Sequence, residues 1–588
     1  MTQDMSISNP SLLKFLDRID KESSLAREQK EDKWANSINH WRGEFWPDKR
    51  PSYKSSPVLN QVATVLERKV AYLTDTRPQI HVASRDDRIQ GSAEILEGVI
   101  GALWEERNWT QALQEMLFFA GIFGYSFTSV IFNPELDMGL GDIDIPVGDP
   151  RSYGFDPFVL KGYDIDKGEY IVCERFVATE ELQVRYPHVG EVPAYYEPED
   201  DSKESRWKSL IAKMFSGRNE GHSPAISRSL VREYWIKDRT LKRDKGGKVV
   251  LGPNGSPARE SPGGRHILRA GDKILVNENN PYIDGAYCFP VDMLAWRFDP
   301  DTAMGMSEVE NLGSIQLLYN KLVEIIAENA VLMTNAIWVG DKDALDPGDW
   351  NKLSNKPGGF VKVRPGKSLR REGAPALPSY IQNVVMYLKD QFGELSGMND
   401  IVGGTPPGGV TSGVALDSLQ QAAQSIIRLK ARDVETTLQR IGQKLIARIL
   451  QYYSSDRIIH LLGSDGNVKQ YKFLREELIK PLRKAYNDQG DQSSVSLARR
   501  ALRDLRFKVV PGSSLAMAKI PKVMMALTLH ERGVLDDEDL LNVVDLPNKE
   551  EVLEKARQRA MQGNGQPRGG GNLPAGMLPD EELMKREF

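Results

Sequence analysis

The sequence predicts an α+β protein, mainly helical. Three observations carry this. Apolar residues recur at three- and four-residue steps over long stretches, notably 91–120, 308–335 and 414–453. Short β-rich runs punctuated by Gly, Pro and Asn fill 126–300. No internal repeat is found, so the long helices do not read as a repeat array. A chain of 588 residues is long enough for several buried cores.

From the N-terminus, residues 11–40 read as a mostly polar helix, followed by the aromatic turn "HWRGEFWPDKRP". A second helix spans 57–76, entered through Pro57 and Asn60 and stopped before Pro78. "PQIHVAS" reads as a short strand, and 91–120 as one long helical region with Ile95, Val99, Ala102 and Leu103 on its apolar side. Met116–Phe132 carries no charge, but Ser126, Thr128 and Ser129 interrupt it. A helix ending at Gly121 or Gly124, followed by the strand "FTSVIF", explains it better than a membrane span. The runs "YIVCERFVA", "SLVREYWIK", "GKVVLG" and "DKILVN" read as strands, with 197–228 a polar surface loop.

Ser307 and Glu310 have the spacing of a capping box. Behind them runs a helix of about 28 residues, with Val309, Leu312, Ile315, Leu318, Leu322 and Ile325 or Ile326 on one face. A compact Gly- and Pro-rich insert, 340–378, precedes a helix near 379–396 bearing Tyr380, Val384, Val385, Leu388, Phe392 and Leu395. After the loop "GGTPPGGVTSG", Val414–Tyr453 reads as one helix of about 60 Å, too long for the core of one small domain. Its apolar stripe runs through Leu416, Leu419, Ala423, Ile426, Val434, Leu438, Ile441, Leu445 and Ile449. Arg428, Lys430, Arg432, Arg440, Lys444 and Arg448 read as its solvated face, or as a contact for neighbours or nucleic acid. A hairpin near 455–475, basic helices over 476–507, the strand "FKVVPGSS" and a helical stretch 519–560 complete the order, with 561–588 read as a disordered tail.

The chemistry implied is sparse. Net charge is −5, so no global basic field recruits nucleic acid. Two cysteines, Cys173 and Cys288, exclude a disulfide framework and a four-cysteine zinc site, and read as buried thiols in a reducing compartment. The first residues carry no signal-peptide pattern. The seven histidines are scattered, without an H-x-x-x-H pair or a G-x-S-x-G elbow. "DIDKG" opens like a calcium loop but lacks the rest of that pattern. "GGFVKVRPGKS" approaches a phosphate loop, yet position 361, where the first glycine belongs, is Val. No catalytic residue, cofactor site or metal site is expected. One charge cluster stands out: Lys352, Lys356, Lys362, Arg364, Lys367, Arg370 and Arg371, with no acid between 352 and 371. It reads as a solvated loop or as a contact for DNA phosphate or an acidic partner.

The ordered set of these elements resembles the portal proteins of tailed bacteriophages. The resemblance rests on "WRGEFWPDKRPSYKSSPVLNQVATVLERKVAYLTDTRPQIHV", "AGIFGYSFTSVIFNP" with "DIPVGDPRSYGFDP", "DPDTAMGMSEVENLGSIQLLYNKL", "LSGMNDIVGG" with "TSGVAL", and "VVPGSSLAMAKI" with "ERGVLDDEDL". It spans about 30–545.

That resemblance implies a ring, typically a dodecamer, at one capsid vertex, through which double-stranded DNA is packaged and ejected. It implies a wing over 1–303, a stem helix over 304–339, a clip over 340–378 and a second stem helix over 379–401. A tunnel loop over 402–413 and a long wing or crown helix with the C-terminal crown over 414–560 follow. The tunnel loop would line the DNA channel with Gly403, Gly404, Thr405, Pro406, Pro407, Gly408, Gly409, Val410, Thr411, Ser412 and Gly413. The clip, with the seven cations above, would dock large terminase and later head-completion or tail-adaptor proteins. Major capsid or scaffolding protein would be a further partner. The particle would be assembled in the host cytoplasm and end in the virion, with no membrane insertion. An ATPase or nuclease subunit of the packaging motor is the competing reading.

Overall fold

The computed structural model describes residues 10–510, except 196–225, 285–287, 354–360, 399–424, 463–467, 487–493 and a few shorter stretches, together with isolated positions between 526 and 540. The chain divides into two compact units, Met1–Leu461 with Gln470–Ala516, and Leu462–Lys469 with Met517–Phe588. The second holds few described residues.

The first unit opens with α1 (Pro10–Arg42) and α2 (Gln61–Thr74). Asn60 joins them. Its Oδ1 accepts from the Ala63 amide at 3.1 Å, and its Nδ2 donates to the carbonyls of His40 and Trp41 at 3.0 Å each. One side chain thus caps α2 and fixes the end of α1. After β1 (Ile80–Ser84), the region expected as one helix over 91–120 is two: α3 (Gln90–Glu106) and α4 (Trp109–Phe123). Asn108 lies between them with φ +48°, a left-handed conformation that asparagine tolerates better than most residues and that no helix interior accepts.

α4 stops at Gly124, φ +95°. A side chain there would strain the backbone and press within 2.9 Å of the Met304 carbonyl, so glycine is required. The apolar run beyond it forms β2 (Tyr125–Ser129) and β3 (Ile131–Asn133), interrupted at Val130. No described helix is long and apolar enough to cross a membrane. β4 (Asp142–Asp144) pairs with β3, and β5 (Val147–Gly148) with β2.

The strand-rich region forms a five-stranded antiparallel sheet. Its members are β6 (Tyr153–Phe155), β7 (Tyr170–Ala178), β8 (Arg228–Ile236), β9 (Arg265–Ala270) and β10 (Lys273–Asn279), in the order β10-β9-β8-β7-β6. Leu12, Leu16 and Ile19 of α1 cover one face, packing on Tyr170, Val172, Tyr234 and Ile267. Leu182, from the short α5 (Thr179–Arg185), covers the other with Val192. Among its described residues "GKVVLG" does not join the sheet, and forms the isolated bridges Arg243–Val249 and Leu251–Pro257. "DIDKG" lies in a 3-10 segment, Gly162–Lys167. There Asp166 accepts from the Phe289 amide at 3.0 Å and sits 3.9 Å from Lys444, an internal anchor in place of a calcium loop.

β11 (Val291–Ala295) pairs with β2 to complete the sheet β11-β2-β5. The long helix α6 (Glu308–Thr334), strands β12 (Ile337–Gly340) and β13 (Leu369–Glu372), and the helix α7 (Tyr380–Ser396) follow. α8 (Ser425–Tyr452) is the described part of the helix expected to begin at Val414. β14 (Arg457–Leu462) and β15 (Val468–Phe473) form the expected hairpin. α9 (Arg475–Ala485) and α10 (Ser494–Asp504) lead into β16 (Leu505–Val509), which returns to pair with β1. The stretches 541–560 and 561–588 lie outside the described residues.

Cys173 and Cys288 are free and partly buried. Burial pushes the Cys173 thiol up to about 12. On the five-stranded sheet, His266 stacks on Trp235, ring centres 4.2 Å apart, and bonds to Glu233 at 2.9 Å and Glu278 at 3.1 Å. Burial opposes its charge, but the two carboxylates outweigh burial and raise its pKa from 6.5 to about 9. Because the folded value lies above the unfolded one, this stabilisation is complete below pH ~6.5 and is lost as pH rises through ~9. Urea denaturation across that window should show stability falling with pH, and His266→Gln should flatten that part of the profile. An unchanged slope in the variant would show that His266 does not carry it.

Candidate assembly and channel segments

α6 is anchored at its first turn by polar groups. Ser307 Oγ accepts from the amides of Val309 and Glu310 at 3.0 and 3.2 Å, and donates to the Gly121 carbonyl at 2.9 Å. Only this half of the expected capping box forms, since Glu310 turns to Lys33 at 2.7 Å. Glu308 is buried, accepting from Lys69 Nζ at 2.7 Å and from the indole of Trp296 at 2.9 Å. Burial lowers the Lys69 pKa, although Glu308 opposes it.

The apolar face expected along α6 forms in part: Ile315 and Leu322 pack partly buried against the core, but polar residues share that buried side. Val309 and Leu312 are buried, and beyond them the buried positions are Gly313, Gln316, Tyr319, Asn320 and Glu324. Leu318 is half exposed, and Ile325 lies on the surface. The cause is contact of the helix with Arg50, Leu59 and Gln61. Gln316 accepts from the Gln61 amide at 2.9 Å and donates to the Leu59 carbonyl at 2.8 Å. Asn320 Oδ1 accepts from the Leu59 amide at 3.3 Å and from Gln316 at 3.0 Å. Glu324 pairs with Arg50, whose guanidinium lies 4.2 Å over the ring of Trp46. In this three-residue polar stripe, Gln316 and Asn320 satisfy backbone groups of Leu59 and Gln61 that would otherwise lack a helix or strand partner.

α7 packs on α6 through Phe392, edge-on to Tyr319 at 5.9 Å. Leu388 and Phe392 are buried as expected, but Tyr380, Val384 and Leu395 are exposed. Met386, Tyr387, Val331, Leu332 and Met333 are exposed as well. α7 ends at Gly397, φ +71°, in contact with Ile426: an added Cβ would lie 2.9 Å from Ile426 Cδ1. The two ends of the segment 399–424 therefore meet. Gly403, Gly404, Thr405, Pro406, Pro407, Gly408, Gly409, Val410, Thr411, Ser412 and Gly413 lie outside the described residues, as do Val414–Gln424.

The insert between α6 and α7 is built on the β12–β13 pair, with Trp338 opposite Arg371 and Val339 opposite Arg370. Arg371 lies 5.4 Å over the Trp338 ring. Ala344 and Leu345 are buried, and Asp341 accepts from the Ser368 amide at 2.9 Å. Lys362, Arg364, Lys367, Arg370 and Arg371 are exposed, Lys352 ends a 3-10 turn, and Lys356 lies outside the described residues. The cluster is less acid-free than its sequence. Arg364 pairs with Asp346 at 2.6 Å and Arg370 with Glu372 at 3.5 Å, both acids standing just outside 352–371. Gly366, φ +80°, sits in a tight turn where the Lys367 amide donates to Arg364, and the chain then enters β13. A phosphate loop requires a helix at that point.

The basic face of α8 is not the solvated face expected. Lys444 and Arg448 are buried, and only Arg428 and Arg432 of the six cations are exposed. Arg440 donates to Asp292 at 2.8 Å and to the Met293 carbonyl at 2.9 Å. Lys444 donates to the Val291 carbonyl at 2.9 Å and pairs with Asp292 at 2.8 Å. Burial disfavours its charge, but Asp166 and Asp292 outweigh that and hold its pKa above the usual lysine range. Arg448 donates to the Val130 carbonyl at 3.0 Å, pairs with Asp284 at 2.6 Å and lies 3.5 Å over the ring of Tyr282. Lys430 reaches the carbonyl of Trp296. Asp292→Ala would strip the shared carboxylate from two cations, so a loss of about 3–5 kcal/mol is expected in urea denaturation. A loss under 1 kcal/mol would mean that the carbonyls alone hold α8.

Among the described residues, no cluster of three or more His, Cys, Asp or Glu side chains could hold a metal ion. No curated protein sequence matches the chain. The sequence model of the phage P22-like portal protein family matches residues 12–575, nearly the whole chain. The chain belongs to the phage P22-like portal protein family.

Proposed function

We propose that this portal protein works as one copy of a ring, a dodecamer, at a single capsid vertex, with double-stranded DNA passing through the ring's channel during packaging and ejection. The observation that carries the ring is the exposed apolar surface of α6 and α7. Leu318 is 50% exposed, Val331 54%, Met386 67% and Tyr387 61%. A monomer rarely leaves so much apolar surface in water, and a head-to-tail interface between copies covers it while closing into a ring.

In this reading residues 1–303 are the wing, 304–339 and 379–401 the stem, 340–378 the clip, and 414–560 the crown-side helix and crown. The insert at 340–378 docks large terminase during packaging and head-completion or tail-adaptor proteins afterwards, and capsid or scaffolding protein surrounds the wing. The folded β12–β13 pair and the exposed Lys362 and Lys367 suit such a docking element. Residues 402–413 face the DNA. They contain no charged side chain, and binding by counterion release grows with each phosphate neutralised, so an uncharged loop lets a duplex slide.

Electron microscopy of the purified full-length chain tests the ring. Ring particles are expected for the native sequence. Leu318→Asp combined with Met386→Asp should shift the protein to monomers with an unchanged circular dichroism spectrum. Rings that persist in this variant would remove α6 and α7 from the interface.

A further inference from the structure

A second basic surface lies away from the insert and the helices that carry it. α10 buries Leu497, Ala498 and Ala501, leaving Arg499 and Arg503, one turn apart, on its exposed side. The chain then enters β16, where Leu505, Phe507 and Val509 point inward while Arg506 and Lys508 point outward. β16 pairs with β1, setting Arg506 opposite Ala83 and Lys508 opposite His81. The last turn of α9 adds the exposed Arg483 and Lys484.

These elements converge on Asp504. Its carboxylate accepts from the hydroxyl of Tyr486, just past α9, at 2.6 Å. Its carbonyl accepts from the amide of Arg85, just past β1, at 2.9 Å. The cations therefore stand on a fixed frame. Among the described residues none of the six makes an ion pair, and the acids nearby are engaged: Asp504 by Tyr486, Asp86 by Arg88 at 2.6 Å, and Glu97 by His81 at 2.9 Å. Glu476 and Glu477 open α9 at its opposite end, and Asp87 lies between Arg85 and Arg88 in the chain. Elsewhere in this acidic protein arginines sit on carboxylates, as Arg265 does on Asp238 at 2.8 Å and Arg151 on Asp149 at 2.6 Å.

The geometry points to this surface as a contact for the phosphate backbone of duplex DNA outside the channel. Spacings of about 6 Å along α10 and about 6.6 Å along β16 set cations in two rows. A duplex offers one negative charge per about 1.7 Å of its axis. The surface holds DNA by charge alone, without reading its sequence. The choice of duplex DNA over other polyanions rests on the portal reading; the cationic surface itself does not.

The test is fluorescence anisotropy of the full-length protein with a random-sequence 30-base-pair duplex, titrated with salt, on samples also imaged for rings. The variant Arg499→Gln/Arg503→Gln/Arg506→Gln/Lys508→Gln should weaken binding at least tenfold at low salt. Each phosphate contact contributes about 0.9 to the slope of log affinity against log salt, so the slope should fall by about 2 to 4. Lys242→Gln/Lys273→Gln, two exposed cations of the strand-rich region, should leave the slope as it is. If the fourfold variant fails to fold by circular dichroism, Arg506→Gln alone should lower the slope by about 0.9. An unchanged slope in a folded variant overturns the inference, whether or not rings form. Polyglutamate competing as well as duplex of equal charge also overturns it, assigning the surface to an acidic protein. Absent rings with a normal loss of slope would count against the ring alone.

Discussion

The architecture depends on how α8 is held against β11. β11 is the outer strand of its sheet, with β2 on one side, so its other edge presents carbonyls that no strand receives. α8 supplies side chains instead of a strand. Lys444 takes the carbonyl of Val291, Arg440 that of Met293 and Lys430 that of Trp296, while Arg448 reaches Val130 beside them. Asp292 and Asp284 neutralise what would otherwise be buried positive charge. An open edge is a site for unwanted pairing, and here a helix closes it. The same contacts tie the long helix α8 to the core.

The anchoring of α6 uses a related device. Its first turn is held by Ser307 and Glu308, and its middle by Gln316, Asn320 and Glu324 against segment 50–61. Polar contacts of this kind demand particular partners at particular distances. They set the rotation of the helix about its axis more strictly than an apolar stripe would. Leu317, Leu318 and Ile325 are thereby left on the outer side of the helix.

Local rules were legible where the physics was local. Asn60 and Ser307 cap helices, Gly124 ends α4, and "YIVCERFVA" pairs with eight residues of "SLVREYWIK" and with Arg228. What was not legible depended on partners distant in the chain. The cations of α8 looked solvated because Asp292 and Asp284 lie about 150 residues earlier. The polar stripe of α6 was invisible to a search for apolar periodicity, although Gln316, Asn320 and Glu324 recur at four-residue steps. The insert looked acid-free because Asp346 and Glu372 stand just beyond its cations. The strand order, with β1 paired to β16 across the length of the unit, has no local signal at all.

The contact between Gly397 and Ile426 has a consequence for how this chain can vary. The end of α7 and the start of α8 meet there, so the number of residues between Gly397 and Ile426 does not set the spacing of the two helices. Closing a chain segment of twice the length costs only about 0.6 kcal/mol more. The segment can therefore lengthen, shorten or change composition over generations without asking the helices on either side to move.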